Sequence, residues 1–392
     1  MRRTVPLAVA SLLAVVSVSA QPRITTAPSV AADAPPVAGP CCPDETAYAG
    51  AVRAFAHGAL GAAAVAIAHA PPDQLKRAVS KLSHDDPQLL PAAAAMHLIL
   101  AVSALNGGNL AASAQQFRIS DTLVRQIHRP SANPAFMRIW HVAATELCIA
   151  SGDLDAATTI VQQGLAEGLS DGGLLLAKGI VAETQAAFDT RRATDTASGG
   201  KGLLPGQGPS TPVSSRQWSF YEGARSPLFW NTSALRRRAM DLTQAEAAYR
   251  GGLQQEPTSE EARLRLGRVL SLEGKGAEAH TLLEGLLSAS HEPHIVYLAH
   301  LFLADLAVRE KDDKVAAGEY TAALAANSAS GVAYLALSNL AQVSGNDDQA
   351  REYIREWLAH DHGSAADPWT LYQLGTDQLG SQLNVLLRMI AQ

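Results

Sequence analysis

Apolar residues recur at steps of three and four positions through most of the chain, and short breaks rich in Gly, Asn and Asp separate these segments. This spacing places the apolar residues on one face of an α-helix. In residues 261–287, "EARLRLGRVLSLEGKGAEAHTLLEGLL", it predicts two short helices joined at Gly274, where the small Ala279 lets the second helix approach the first. The pattern therefore predicts a helix–turn–helix unit.

The same unit recurs at a spacing of about 34 residues, which is typical of a helical repeat array. Within 241–359, further second helices carry a small residue and, four positions later, an aromatic or apolar one: Ala245 and Tyr249, Ala316 and Tyr320, and Ala350 and Ile354. Residues 44–186 follow the template more loosely. The chain is 47% hydrophobic but 5% aromatic, mainly through Ala and Leu, which favour helices. We therefore predict an all-α fold.

The repeats resemble the tetratricopeptide repeat (TPR) family, whose motif has Leu-Gly in the first helix, Gly at the turn and Ala in the second helix. The residues that carry the resemblance are Leu266, Gly267, Gly274 and Ala279, with Pro257 at the end of the preceding repeat. Leu-Gly occurs in one repeat only, and Lys311 takes the place of a turn glycine. A helical repeat of another kind is the alternative.

The resemblance implies a right-handed solenoid of TPR-like helix–turn–helix repeats. Degenerate repeats are expected over 44–189, and better-matched repeats over 236–360. Residues 361–392 are expected to form C-terminal capping helices, because the terminal repeat of a solenoid needs a cap. In this interpretation Trp369 and Tyr372 cover the open end of the array.

A long segment without helical periodicity, residues 190–235, separates the two helices of one repeat. It is rich in Gly, Pro, Ser and Thr, which predicts an irregular insertion. Residues 190–238 hold eight basic and two acidic residues, whereas the whole chain has a net charge of −6. We expect the insertion to dock on the chain's own groove or on an anionic partner. Its candidate contact residues are aromatic: Trp218, Phe220, Tyr221, Phe229 and Trp230.

The resemblance also implies a binding surface, because the first helices of such repeats line a concave groove. Its apolar and single polar side chains suit an extended peptide or a partner helix, although solvated helix faces would carry similar residues. The clustered Lys, Arg and Asn of the family's carboxylate clamp are not present, so binding of chaperone tails is not expected. The family's groove positions fall on Glu146, Leu264, Arg268, Leu301, Asp305, Leu335 and Asn339.

The N-terminus predicts export. The first twenty residues have a basic start, an apolar run and small residues at Val18 and Ala20, which is typical of a cleavable secretory signal. Residues 21–43 form a Pro- and Ala-rich flexible leader. We expect a periplasmic or extracellular protein, with a retained N-terminal anchor as the alternative. Export argues against nucleic acid as a partner.

Two further features follow from export. No later stretch approaches the roughly 18 apolar residues of a membrane helix, so no membrane span is predicted in the mature chain. In an oxidising compartment Cys41 or Cys42 could pair with another chain or, less favourably, with Cys148.

Motifs for catalysis or cofactor binding are scarce. The Gly-Lys pairs lack the spacing of a phosphate-binding loop, and no nucleophile turn is present, so neither a cofactor nor a catalytic residue is expected. The acidic pairs Asp312-Asp313 and Asp347-Asp348 fall at predicted turns, where such residues cap the following helix. Turn and surface roles are also expected for the histidines, rather than a zinc site.

The sequence thus favours an exported non-enzymatic scaffold that binds a protein or peptide through its groove. One alternative is a cell-envelope assembly or glycan-binding protein, in which Trp218 and Trp230 stack on sugar rings. Another is a metal-dependent hydrolase that uses His291, His294 or His360.

Overall fold

The computed structural model describes residues 45–56, 67, 71–127, 133–169, 171–197, 232–360, 367–375 and 379–390. The predicted signal, the leader and the five aromatic residues of the insertion lie outside these residues. The proposed glycan contacts, Trp218 and Trp230, are two of these five residues and therefore also lie outside the described ranges. The described residues form sixteen α-helices: α1 (Glu45–Ala56), α2 (Pro72–Asp85), α3 (Leu90–Asn106), α4 (Leu110–Arg125), α5 (Pro134–Ser151), α6 (Leu154–Ala166), α7 (Gly172–Ala197), α8 (Thr232–Gln255), α9 (Glu260–Leu272), α10 (Gly276–Ala289), α11 (Pro293–Glu310), α12 (Asp313–Ala326), α13 (Gly331–Val343), α14 (Asp347–Ala359), α15 (Pro368–Leu374) and α16 (Leu379–Ile390).

Consecutive helices pack in pairs, from α3 with α4 to α13 with α14, and each pair contacts the next. The prediction of an all-α helical repeat fold is confirmed. We call the surface formed by the first helix of each pair (α3, α5, α7, α9, α11 and α13) the first-helix face. Two clusters of buried apolar side chains run along the array, one centred on α3 to α9 and the other on α11 to α13.

Polar side chains fix where most of these helices begin. The side chain just before each helix accepts a hydrogen bond from the backbone N–H three residues further on, which satisfies one of the free donors of the first turn. Asp312 caps α12 in this way, as predicted. At α14 the capping residue is Asn346, while Asp347 and Asp348 lie in the first turn and stabilise the positive end of the helix dipole. The same cap occurs at Asn109, Asn133, Asp153, Ser259 and Ser330.

Small residues let the helices of a pair approach each other. Ala279 is fully buried in α10, as expected from the repeat. A Cβ added to Gly267 of α9 would lie 2.7 Å from Cδ2 of Leu283 in α10, which is closer than atoms can pack. At Gly179 of α7 an added Cβ would overlap the ring of Tyr249 in α8. These positions therefore require glycine for packing rather than for backbone conformation.

The insertion is shorter than its composition predicts. Residues 190–197 continue α7, and residues 232–235 belong to α8. Both extensions lie in the pair with the most extensive contact in the described chain. Arg237 of α8 forms an ion pair with Asp189 at 3.1 Å, and Arg238 donates a hydrogen bond to Thr190 at 3.1 Å. Residues 190–197 and 232–235, which the sequence assigned to the insertion, are therefore helical, and contacts at Asp189 and Thr190 join the two helices.

Contrary to the expectation from sequence, helix α3 together with the short turn before it is long and apolar enough to cross a membrane. Among the described residues, Pro87–Asn106 meets this test of length and composition. The helix packs against α1, α4, α5 and α16, and most of its residues are buried. A core helix of an all-α protein has the same composition, and the burial of α3 accounts for its apolar character. Cys148, on neighbouring α5, is likewise buried with a free thiol, and burial raises the pKa of that thiol.

The C-terminal helices do not cap the end of the array. Helix α15 contacts α11 and α5, and α16 packs on α5 and α3, all of which are first helices. Residues 367–375 and 379–390 therefore turn back over the first-helix face. The prediction that Trp369 and Tyr372 cover the open end was wrong, because the buried apolar stripe of this segment packs against the middle and beginning of the array.

Candidate functional site

Residues 367–390, which we call the C-terminal segment, follow the first helices in reverse order. Asp367 accepts a hydrogen bond from the hydroxyl of Tyr297 in α11 at 3.1 Å. Tyr372 reaches α9 and α7, as described below. A Cβ added to Gly375 would meet side chains of α7 and α5. Helix α16 then covers α5 and α3 with its buried residues Leu379, Leu383 and Leu386. The segment thus lies on the surface where the repeat resemblance places a ligand.

Glu183 of α7 is the centre of the polar contacts under the segment. The Tyr372 hydroxyl donates to its Oε1 at 2.5 Å, and the Tyr249 hydroxyl donates to its Oε2 at 2.7 Å. Arg265 of α9 lies 3.4 Å from the same Oε2. Burial raises the pKa of both tyrosines, and the negative charge of Glu183 raises it further. Both phenols therefore stay protonated and serve as donors.

Arg265 is 1% exposed, yet its charge is compensated. Its Nε donates to Glu261 one turn earlier in α9, and its Nη2 donates to the backbone carbonyl of Tyr372 at 3.2 Å. The guanidinium also lies 4.0 Å from the centre of the Tyr372 ring, which is a cation–π geometry. A buried charge is tolerated when it is paired and hydrogen-bonded in this way. The C-terminal segment completes that set of partners.

Aromatic rings anchor α15. Trp369 and Tyr372 stack with ring centres 5.7 Å apart, and each meets the ring of Phe302 in α11 in an edge-to-face arrangement. The guanidinium of Arg268 in α9 lies 4.9 Å from the Phe302 ring and 5.6 Å from the Trp369 ring. Such rings bury a large apolar area at a low cost in side-chain entropy, and they dominate many recognition surfaces.

A small pocket lies beside this anchor, between α7, α8, α9, α11 and α15. Arg238, Arg268 and Arg309 line it from three different helices. Arg268 and Arg309 both contact Oδ2 of Asp305, at 2.8 and 3.0 Å. Burial lowers the pKa of Arg238, and the positive charges of Arg309 and Arg268 lower it further. The pocket is therefore rich in positive charge.

The seven predicted groove residues all lie on first helices, but the structure buries most of them. Leu335 and Asn339 of α13 are half-buried. Arg268 is covered by Trp369, and Asp305 joins it in the ion pair of the pocket. The fully or largely buried predicted residues are Glu146, Leu264, Arg268, Leu301 and Asp305.

Sequence reasoning missed two charged residues that hold the segment, Glu183 and Arg265, and it named Tyr249 only as a repeat position. A charged residue on a repeat helix is ordinarily solvated, so nothing in the local pattern indicates their burial. The leucines of α16, at 379, 383 and 386, do carry a signal, because their spacing predicts a buried stripe on one helix face.

Of the histidines named as candidate zinc ligands, His291 and His294 lie near the start of α11 and His360 follows α14. His300 contacts Glu319 at 2.8 Å, and His360 contacts the hydroxyl of Tyr334 at 2.9 Å. His291 and His294 are exposed at the start of α11. Within the described ranges, no three side chains of His, Cys, Asp or Glu are placed to hold a metal ion together.

Residues 237–301 match the tetratricopeptide repeat family model. The matched region runs from α8 into α11 and contains Arg238, Arg265 and Arg268. TPR proteins are generally non-enzymatic scaffolds that bind proteins or peptides, although a fold alone does not name a partner. No curated protein matches this chain in sequence.

Several solved structures are similar to the chain at low identity. A monomeric mutant of IFIT1 with Gppp-AAAA is 14% identical, with a TM-score of 0.43, over 80% of this chain and 67% of that one. The human IFIT1 dimer with PPP-AAAA is also 14% identical, with a TM-score of 0.41, and this chain spans 62% of its length. The TPR domain of P58(IPK) is 14% identical with a TM-score of 0.22, over 80% of each chain.

Proposed function

We propose that this chain is an exported, non-enzymatic scaffold whose first-helix face binds a helix or extended peptide of a partner protein. The partner competes with the chain's own C-terminal segment. The observation that carries this proposal is the course of that segment, which meets α11, α9, α7, α5 and α3 in turn. A bound peptide would follow the same surface.

The segment also uses the chemistry of peptide recognition. Its first part places two buried aromatic rings, Trp369 and Tyr372, among side chains of α7, α9 and α11. Its second part is a helix with fully buried leucines at 379, 383 and 386. Helices that bind in grooves present anchors at this spacing. A competing partner is therefore expected to carry an aromatic anchor followed by an amphipathic helix.

Tethering favours the internal ligand. Because the segment belongs to the same chain as the face, its effective concentration there is in the millimolar range, approximately. The partner must therefore bind tightly, or meet the scaffold at high local concentration, to occupy the same face. This competition makes the first-helix face selective.

The groove is tested by making the C-terminal segment exchangeable in the full chain. A protease site is placed within 361–366 and cut, and a labelled peptide of residues 367–390 is added. We expect the labelled peptide to replace the cut segment and to cross-link to α5, α7 and α9. The matched control peptide carries Leu383→Asp. If the cut segment never exchanges, or if both peptides bind equally, the segment is a permanent part of the core and the proposal is wrong.

The partner is tested by cross-linking mass spectrometry in the source cells. The wild-type chain is compared with Leu383→Asp, which weakens the docking of α16. We expect one partner to cross-link to the first helices, and to do so more strongly in the variant. Cross-links confined to the second helices, or equal in both chains, contradict groove binding.

The prediction of export is tested at the N-terminus of the mature protein. The mature protein is isolated from the same cells, and its N-terminus is determined by mass spectrometry. Cleavage after Ala20 supports export, whereas a chain that keeps residues 1–20 contradicts a cleaved signal.

A further inference from the structure

The site that receives the Tyr372 side chain is aromatic and cationic along the ring and acidic at its end. The ring meets that of Phe302 edge to face, with centres 5.0 Å apart, and lies 4.0 Å from the guanidinium of Arg265. The hydroxyl reaches Oε1 of Glu183. We call the site formed by Glu183, Arg265 and Phe302 the tyrosine socket. Its three side chains come from three successive first helices, α7, α9 and α11.

The carboxylate of Glu183 is held by residues of the repeat array itself. The Tyr249 hydroxyl donates to its Oε2 at 2.7 Å, and Arg265 lies 3.4 Å from the same oxygen. Tyr249 is fully buried, and the side chain of Glu183 is 11% exposed. Because these partners belong to α8 and α9, they orient the carboxylate independently of the C-terminal segment. Its Oε1 is thereby presented to a ligand on the first-helix face.

An acceptor of this kind distinguishes tyrosine from phenylalanine. A phenylalanine ring would fill the same space without offering a donor. A hydrogen bond to a charged group contributes more than one between neutral groups, and its loss is costly where the acceptor is poorly solvated. Sites that hydrogen-bond a hydroxyl of the ligand therefore reject the analogue that lacks it. Burial raises the pKa of Tyr372, so its hydroxyl keeps the proton that it donates.

A second polar contact lies five residues earlier in the segment. The Tyr297 hydroxyl of α11 donates to Oδ1 of Asp367 at 3.1 Å and lies 2.5 Å from the Ser330 hydroxyl. The same Oδ1 accepts from the backbone N–H of Trp369 at 3.0 Å and so caps α15. The buried Trp369 ring stacks on Tyr372. The segment thus presents an acidic residue, an aromatic ring two positions later and a tyrosine five positions later.

We propose that the first-helix face recognises partner segments with this spacing of an acidic residue, an aromatic residue and a tyrosine, and that Glu183 is the residue that selects tyrosine. The inference rests on the function proposed above, because it names the partner chemistry that replaces the C-terminal segment. Asp367, Trp369 and Tyr372 are the internal copy of that pattern. A partner with phenylalanine at the last position is discriminated against, although it has the same shape.

The role of Glu183 is tested first in the intact full chain, where no exchange of peptides is needed. Hydrogen exchange read by mass spectrometry follows the backbone amides of α15, whose exchange rate reports how often the helix opens. Tyr372→Phe should raise this rate by roughly tenfold to a hundredfold, which corresponds to the loss of a hydrogen bond to a charged group. The matched control Tyr353→Phe removes a hydroxyl from an exposed face and should leave the rate unchanged.

Glu183→Gln separates recognition from packing. Glutamine keeps the shape of the side chain and still accepts a hydrogen bond, but it lacks the charge. In this background Tyr372→Phe should raise the exchange rate of α15 by less than about tenfold, so the two changes are not additive. The selectivity assigned to Glu183 is overturned if Tyr372→Phe has the same effect with either residue at position 183, or has no effect in the wild-type background.

The partner pattern is tested on the wild-type scaffold with the cut chain and labelled peptides of residues 367–390 described above. Peptides with Tyr372→Phe or Asp367→Ala should bind about tenfold more weakly than the unchanged peptide. Asn384→Ala, at an exposed position of α16, should bind equally well. If the unchanged peptide binds and all variants match it, groove binding stands and this inference is wrong. If no peptide binds, the proposed function fails and the partner pattern with it, whereas hydrogen exchange in the intact chain still decides the role of Glu183.

Discussion

Tyr372 donates a hydrogen bond from its hydroxyl to Oε1 of Glu183 at 2.5 Å, although 189 residues separate them in sequence. Glu183 lies in α7, near the middle of the array, whereas Tyr372 lies in the last helix but one. The acceptor is a carboxylate, and hydrogen bonds to charged groups are stronger than those between neutral groups. The contact therefore ties the end of the chain to the centre of the fold.

Tyr372→Phe should lower the free energy of unfolding by about 1–3 kcal/mol, since a buried acceptor loses its donor while the ring stays over Arg265. Urea denaturation measures this change. The matched control is Tyr353→Phe, whose hydroxyl accepts a hydrogen bond from Gln349 on an exposed face. That control should change stability by less than about 0.5 kcal/mol. Equal losses of unfolding free energy in the two variants would show that the hydrogen bond to Glu183 stabilises the fold no more than an exposed one does.

Lys311 has a left-handed backbone, with φ of 65°, where the other repeat turns use glycine. Lys311→Gly should raise the free energy of unfolding by about 0.5–1 kcal/mol, because glycine adopts this conformation without the clash of a Cβ. Gly274→Ala makes the reverse change at φ of 81°, where the space around the Cβ is open. It should destabilise by about 1 kcal/mol. The thermal unfolding midpoints of both variants measure these changes. If Lys311→Gly and Gly274→Ala shift the midpoint in the same direction, the left-handed backbone does not determine the stability of these turns.

Gly179 and Gly318 both lie within helices, but only the Cα of Gly179 lies close against a neighbouring side chain, the ring of Tyr249. Gly179→Ala should destabilise the chain by about 1–3 kcal/mol, because its methyl group would meet the ring of Tyr249. Gly318→Ala has no atom within 4 Å of its new Cβ and should stabilise by up to about 1 kcal/mol through helix propensity. Chemical denaturation of the two variants compares them directly. A Gly179→Ala chain as stable as the wild type would refute the close approach of α7 and α8.

Because His97 of α3 is buried as a neutral imidazole, we expect the free energy of unfolding of the chain to fall in acid. Its Nε2 lies 3.0 Å from the Tyr48 hydroxyl and its Nδ1 lies 2.6 Å from the Gln116 amide oxygen. Burial lowers the pKa of His97 to about 4, against an ordinary value of 6.5. Between these values the unfolded chain binds a proton that the folded chain does not. The stability that His97 contributes is therefore lost as the pH falls from about 6.5 towards 4.

From pH 7 to pH 5 this loss should reach about 2 kcal/mol. His97→Gln removes the titrating group, so the fall in unfolding free energy over the same range should be smaller by that amount. His280→Gln, at an exposed position of α10, is the matched control for replacing a histidine. Urea denaturation at the two pH values measures all three chains. Identical pH dependence in wild type and His97→Gln would contradict a neutral, buried imidazole.

The repeat could be predicted from sequence because its signals are local. Gly274, Ala279 and their equivalents recur at a fixed spacing, and each acts on a neighbouring helix. The end of α7 could not be predicted in this way. Residues 190–197 belong to the stretch that the sequence predicts to be irregular, whereas in the structure they extend a helix that Asp189 and Thr190 join to Arg237 and Arg238 of α8.

The candidate site depends on contacts that are distant in sequence. Arg265 is buried because the carbonyl and ring of Tyr372, 107 residues later, close over it. The family resemblance placed Arg268 and Asp305 on the correct helices, but it could not show that the C-terminal segment lies above them. The periodic leucines of α16 predict a buried face without naming the helices that bury it.

The reversed course of the C-terminal segment has a consequence for synthesis of the chain. The leucines that cover α3 and α5 belong to α16, so they leave the ribosome after every repeat has been made. Until then the first repeats expose an apolar surface, and contacts between distant parts of a chain form slowly. Helices α3 and α5 are thus covered only after many later helices have been made, and a nascent chain needs protection of that surface until α16 emerges.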